Sequence, residues 1–89
     1  MDIKVSKMTK DEMTKKGVNK WPIWEKEVSV FDWQYNCPEE CYILEGDVEV
    51  TTKDGATVKF GTGDFVSFPR GLSCTWNINK PVRKHYHFG

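Results

Sequence analysis

The segment GDFVSFPRGLSCTW, residues 63–76, ends on a cysteine whose role decides much about this chain. A thiol such as Cys74 can ligate a metal, attack an electrophile, or simply pack. The first two uses require the thiolate, and therefore a histidine or another cation close by. The only histidines, His85 and His87, stand two residues apart near the end of the chain. Side chains at that spacing share one face of a strand, but which face points inward cannot be read from the sequence. Cys37, Cys41 and Cys74 form an odd set without a C-x2-C pair, so neither a disulfide framework nor a zinc knuckle is expected. Reduced thiols in a cytoplasmic setting are expected.

Glu39 is the second residue with chemistry to offer. A carboxylate among apolar strands is costly unless it is protonated, solvated or matched by a cation. The basic residues near the C-terminus supply the candidates: Lys84, or Arg83 together with His85.

The elements that position these groups are almost all strands. Thr9-Lys10-Asp11-Glu12 has the spacing of a capping box and predicts a short helix over about 10–16, closed by Gly17. No later stretch reads as helix. Along EKEVSVFDWQY, period-two alternation puts Phe31, Trp33 and Tyr35 on one face and Asp32 and Gln34 on the other. Asn36-Cys37-Pro38 breaks that strand. ECYILEGDVEVTT is strand-like, bent at Gly46-Asp47, and Asp54-Gly55 predicts a tight hairpin with positive φ at both central residues. After ATVKF and the opening segment, WNI leads to a break at Asn79-Lys80-Pro81 and a terminal strand, VRKHYHF. About six to eight short strands with regular turns predict an all-β sandwich or barrel.

Composition narrows the function classes. With 89 residues the chain holds one domain (1–89): an N-terminal extension with the short helix (1–17) and a β-barrel (18–89). Thirteen basic residues balance thirteen acidic ones, and the lysines near the N-terminus are interleaved with Asp11 and Glu12. That pattern gives no electrostatic footprint for nucleic acid or an anionic membrane. No stretch has the length of a membrane span, and MDIKVSKMTK lacks the apolar centre of a signal peptide.

Two segments, in the right order, resemble the cupin superfamily of small jelly-roll barrels. Gly63, Pro69 and Gly71 fit its second motif, G-x5-P-x-G, and Glu39 and Gly46 fit the end of its first, E-x6-G. Glu40-Cys41-Tyr42, Cys74-Thr75-Trp76 and Pro81–Tyr86 resemble the small single-domain subgroup of largely unknown function, related to the ethanolamine-utilisation cupin and to (S)-ureidoglycine aminohydrolase. The resemblance begins at about Trp21 and implies a single cupin barrel. Metal-binding cupins supply an H-x-H pair ahead of the glutamate and a further histidine in the second motif. Here Trp33 and Tyr35 (or Asp32 and Gln34) replace the pair, and Cys74 replaces the last histidine.

Strand parity then gives the interior implied by the resemblance. Glu39 inward brings Cys41 and Ile43 with it, and Cys74 inward brings Trp76 and Ile78. With Trp33 and Tyr35, the candidate ligand-binding lining is Trp33, Tyr35, Glu39, Cys41, Cys74 and Trp76. Each has an alternative as plain core packing.

The leading expectation is binding of a small polar metabolite in a barrel without metal or other cofactor. One alternative is an enzyme: a metal-dependent hydrolase or isomerase using Glu39, with Glu39, Cys74 and His85 as the weaker ligand set for a divalent transition metal, or a thiol enzyme using Cys74. Another is a structural or regulatory dimer. Trp21-Pro22-Ile23-Trp24 is expected to cover a barrel end or a dimer seam, and a homodimer is expected because surplus aromatics gain core by pairing.

Overall fold

A computed structural model describes residues 3–88. The chain order is β1 (Lys4–Lys7), α1 (Lys10–Lys16), a single 3-10 turn (Val18–Lys20), β2 (Ile23–Lys26), β3 (Ser29–Gln34), β4 (Glu39–Thr52), β5 (Thr57–Gly61), β6 (Asp64–Phe68) and β7 (Ser73–Phe88). All seven strands join one antiparallel sheet, in the order β1-β6-β4-β7-β2, with β3 also on β7 and β5 also on β4. No helix among the described residues is long and apolar enough to cross a membrane.

The helix follows its local signals. Thr9 caps α1, its Oγ1 accepting from Glu12 N at 3.2 Å, while Thr9 N donates to Glu12 Oε1 at 3.3 Å. Gly17 closes the helix at φ 70°, a left-handed position that glycine takes without steric cost. Two features correct the sequence reading. The 3-10 turn after Gly17 is helical and buries Val18. The N-terminal extension also supplies a strand, β1, which pairs with β6 from Lys4↔Ser67 to Lys7↔Asp64. Every β1 residue is exposed, so no apolar alternation marks it in the sequence.

The two long strands carry the barrel. In β4, Glu39, Cys41 and Ile43 point inward and Val48 and Val50 do so further on, so the inward parity changes from odd to even. A bulge makes the switch: the register on β7 slips between Ile43↔Lys84 and Val48↔Ile78. Gly46 lies in the bulge at φ 138°, and a β-carbon there would meet Val82 Cγ2 at 2.9 Å. Only glycine suits that bend.

Strand β7 runs unbroken through Asn79-Lys80-Pro81, where a break was expected. Pro81 is tolerated because β3 pairs with residues 73–78 and β2 with residues 82–85, leaving a gap between them; on the β4 side it falls within the slipped register. Parity therefore continues along the whole strand, with Cys74, Trp76, Ile78, Val82 and Lys84 all buried. The β4–β5 hairpin is also looser than the predicted two-residue turn. Gly55 N bonds Thr52 O at 3.0 Å, and among the described residues positive φ occurs only at glycines, here Gly55 at 89°. A turn closed by a left-handed glycine satisfies the strand twist without forcing Asp54 to positive φ.

Inside the rolled sheet, Ile43, Val48, Val50, Val66, Phe68, Trp76 and Val82 form the apolar core. Aromatic rings pack through it: Tyr35 stacks on Phe68 at 4.7 Å, and Phe60 meets Trp76 edge-on at 5.5 Å. Such pairs add about 0.5–1.5 kcal/mol each beyond the area they bury.

Candidate functional site

At one end of the core a cleft of about 150 Å³ opens to solvent. Its walls are aromatic: Trp24 from β2, Phe31 and Trp33 from β3, Tyr35 from the connection after β3, and Trp76, Tyr86 and Phe88 from β7. Phe31 stacks on Trp76 at 6.0 Å, with Trp24 edge-on to Trp76 at the same distance. Trp33 and Phe88 are half-exposed and form the rim.

Two charged residues complete the lining, Glu39 and Lys84. Among the described residues they are the only buried charged side chains, at 4% and 5% exposure. Lys84 Nζ donates to Glu39 Oε2 at 2.7 Å. The ammonium also lies over two indole rings, 5.0 Å from Trp24 and 4.9 Å from Trp76, positions that attract a cation to the negative face of the ring. Lys84 is thus a cation held in an aromatic box with a carboxylate counter-ion. Its register partner on β4 is Ile43, four residues along from Glu39, so the length of a lysine is needed to close the pair.

The pair is not fully saturated. Only one of the three ammonium hydrogens finds an acceptor among the described residues. Glu39 Oε1 has no hydrogen-bond partner among the described residues either, and its carboxylate lines the open cleft. Tyr35 Oη accepts from Trp76 Nε1 at 3.2 Å and keeps its own hydrogen to donate. Burial, followed by the Glu39 charge, pushes the Tyr35 hydroxyl far above its ordinary range, so it remains a neutral donor.

Of the six residues expected to line a ligand site, Trp33, Tyr35, Glu39 and Trp76 border the cleft. Cys41 and Cys74 do not. Cys41 is wholly buried in the apolar core, and burial pushes its thiol up to about 12. Cys74 is buried beside Trp33 across the β3–β7 ladder, and burial raises its thiol as well. Neither environment favours a thiolate. Of the basic residues expected to match Glu39, Lys84 is the one that reaches it. Arg83 lies on the outer face, 3.3 Å from Glu25. His85 Nδ1 is 2.9 Å from Trp21 O, and His87 stacks on Trp21 at 5.1 Å.

The alternative metal set therefore does not come together, because His85 projects from the opposite face to Glu39 and Cys74. Among the described residues no three His, Cys, Asp or Glu side chains converge as a metal would require. Of the two pairs that could stand at the histidine positions of metal-binding cupins, Trp33 and Tyr35 border the cleft while Asp32 and Gln34 do not. Those positions therefore hold an indole, a phenol and the protonated thiol of Cys74, and the remaining carboxylate already holds an ammonium. That donor set does not fit a transition metal.

Four lining residues lay outside the expected set: Trp24, Phe31, Tyr86 and Phe88. The signal for the last two was present in β7, whose even positions continue the parity of Cys74, Trp76 and Ile78 once Pro81 is not taken as a break.

A family described as the EutQ-like cupin domain matches residues 13–86. A crystal structure of a DUF861 family protein from Thermotoga maritima superposes with a TM-score of 0.97 at 53% identity, covering 99% of this chain and 100% of that one. The Clostridium difficile EutQ protein matches 72% of this chain at 25% identity and a TM-score of 0.66, with half of its own length covered. A putative ethanolamine utilization protein Q from Salmonella typhimurium shares the fold, with a TM-score of 0.65 at 21% identity over 97% of this chain and 68% of that one. No curated protein matches the sequence.

Proposed function

The chain belongs to the EutQ-like cupin family, and we propose that it binds a small polar metabolite in a cupin barrel that uses no metal. The observation that carries this reading is the buried Glu39–Lys84 pair lining an open aromatic cleft. Apolar walls with a few oriented polar groups are the usual build of a small-molecule site. A core filled only for stability would gain nothing from two buried charges, since an apolar pair of similar volume serves as well or better. Lys84 takes the electrostatic place that a metal holds in other cupins: it neutralises the glutamate and leaves donors for a ligand.

A thermal-shift screen of small polar metabolites tests the reading, run on protein purified without chelator and analysed for bound metals. At least one metabolite raises the melting temperature in the wild type but not in Lys84→Met. A stoichiometric transition metal in the purified protein, or no stabilising metabolite, contradicts the proposal.

A further inference from the structure

Resting on that reading, we infer the class of ligand from the valences the pair leaves open: a neutral, planar, one-ring molecule with N–H beside C=O on one edge, as in a lactam or cyclic imide. The cleft sets the size. A cavity of about 150 Å³ is the volume that accepts a benzene-sized ring in a protein interior. The walls set the shape, because indole and phenyl faces around the cleft favour a flat partner presented face to face or edge to face.

The charges set the polarity. Glu39 and Lys84 sum to zero and are bonded to each other at 2.7 Å. An anionic ligand would draw Lys84 away and leave a buried carboxylate without its counter-ion. A cationic ligand would have to replace the ammonium between Trp24 and Trp76, where the box is already filled. Either exchange incurs the desolvation cost of an uncompensated charge. A neutral edge avoids it. Its carbonyl accepts one of the two spare Lys84 hydrogens and its N–H donates to Glu39 Oε1, so both valences are used and the ion pair stays closed. Pyrimidine bases are metabolites that carry such an edge. A two-ring analogue extends past the half-exposed Trp33 and Phe88 at the rim.

The experiment titrates the protein with four one-ring probes, followed by fluorescence of the cleft tryptophans. The probes are 2-pyridone, N-methyl-2-pyridone, benzoate and benzylamine. Saturable binding of 2-pyridone is expected, with the N-methyl compound about ten- to a hundredfold weaker because Glu39 Oε1 loses its donor. Both charged probes bind more weakly than 2-pyridone. Equal affinity for the two pyridones, or tighter binding of benzoate or benzylamine, overturns the lactam inference while leaving a small-molecule cleft. If none of the four binds and the metabolite screen also finds nothing, the binding reading falls and takes the inference with it.

Discussion

At the scale of single residues, Lys84 and Glu39 carry the account, and removing one is a different experiment from removing both. Lys84→Met leaves a buried carboxylate without its cation and should destabilise the fold by about 3–5 kcal/mol. Glu39→Met/Lys84→Met replaces the pair with apolar volume and should recover most of that loss in chemical denaturation, while ligand binding stays lost. A double variant as unstable as the single one would mean that the pair is not an independent unit. The thiols give a separate check. Cys37 is exposed, whereas Cys41 and Cys74 are buried and their thiols are raised. One thiol should therefore react quickly with a disulfide reagent at pH 8, and the other two only on unfolding; a second fast thiol would contradict their placement as packing. The Cys41 thiol is pushed up to about 12 from an ordinary 9.0. The folded chain thus holds a proton that the unfolded chain releases between these values. Its contribution to stability is full below pH 9.0 and is lost as pH rises toward 12. Cys41→Ala should lower stability overall but flatten that alkaline decline; an unchanged slope would assign the decline to other groups.

Among the elements, β4 and β7 determine which side chains meet. Much of this was legible in the sequence. The capping box gave α1, Asn36-Cys37-Pro38 gave the end of β3, and alternation from Glu39 and from Cys74 gave inward Cys41, Ile43, Trp76 and Ile78. What was not legible depends on pairing between distant strands. The face of the terminal strand needed the continuity of β7 through Pro81, and that continuity depends on the gap between β2 and β3. The reach of Lys84 to Glu39 needed the register that puts Lys84 opposite Ile43. Strand β1, with every residue exposed, needed its partner β6 to be visible at all. The bulge at Gly46 links both long strands, because it changes the inward parity of β4 while β7 keeps its own. Gly46→Ala combines a positive φ with a β-carbon 2.9 Å from Val82 Cγ2. It should cost about 2–4 kcal/mol in denaturant melts. A variant within 0.5 kcal/mol of wild type, a threshold on the order of a neutral surface change, would show that the bulge relaxes freely.

On the scale of the whole molecule, the aromatic surplus noted in the sequence divides between the core and the cleft, and two valines around the start of β3 remain exposed beside Asp32 and Gln34. Val28 and Val30 are exposed, and among the described residues β3 pairs only with β7, so its other edge is free. We propose that a second copy of the chain covers this edge, which would bury the two exposed valines and pair the open strand edge. Sedimentation should give twice the 10.4 kDa chain mass, and Val30→Lys should shift it to the monomer without loss of ligand binding; a wild-type monomer at every concentration contradicts this. The central claim concerns the cleft itself: we propose that the Lys84 ammonium stands where metal-binding cupins hold their metal. The most direct measurement is a crystal structure of protein grown without chelator in the presence of manganese or zinc, with anomalous data at the metal edge. The account predicts Lys84 Nζ within hydrogen-bonding distance of Glu39 and no anomalous peak in the cleft. A metal bound to Glu39, with Lys84 swung out of the box between Trp24 and Trp76, would contradict it.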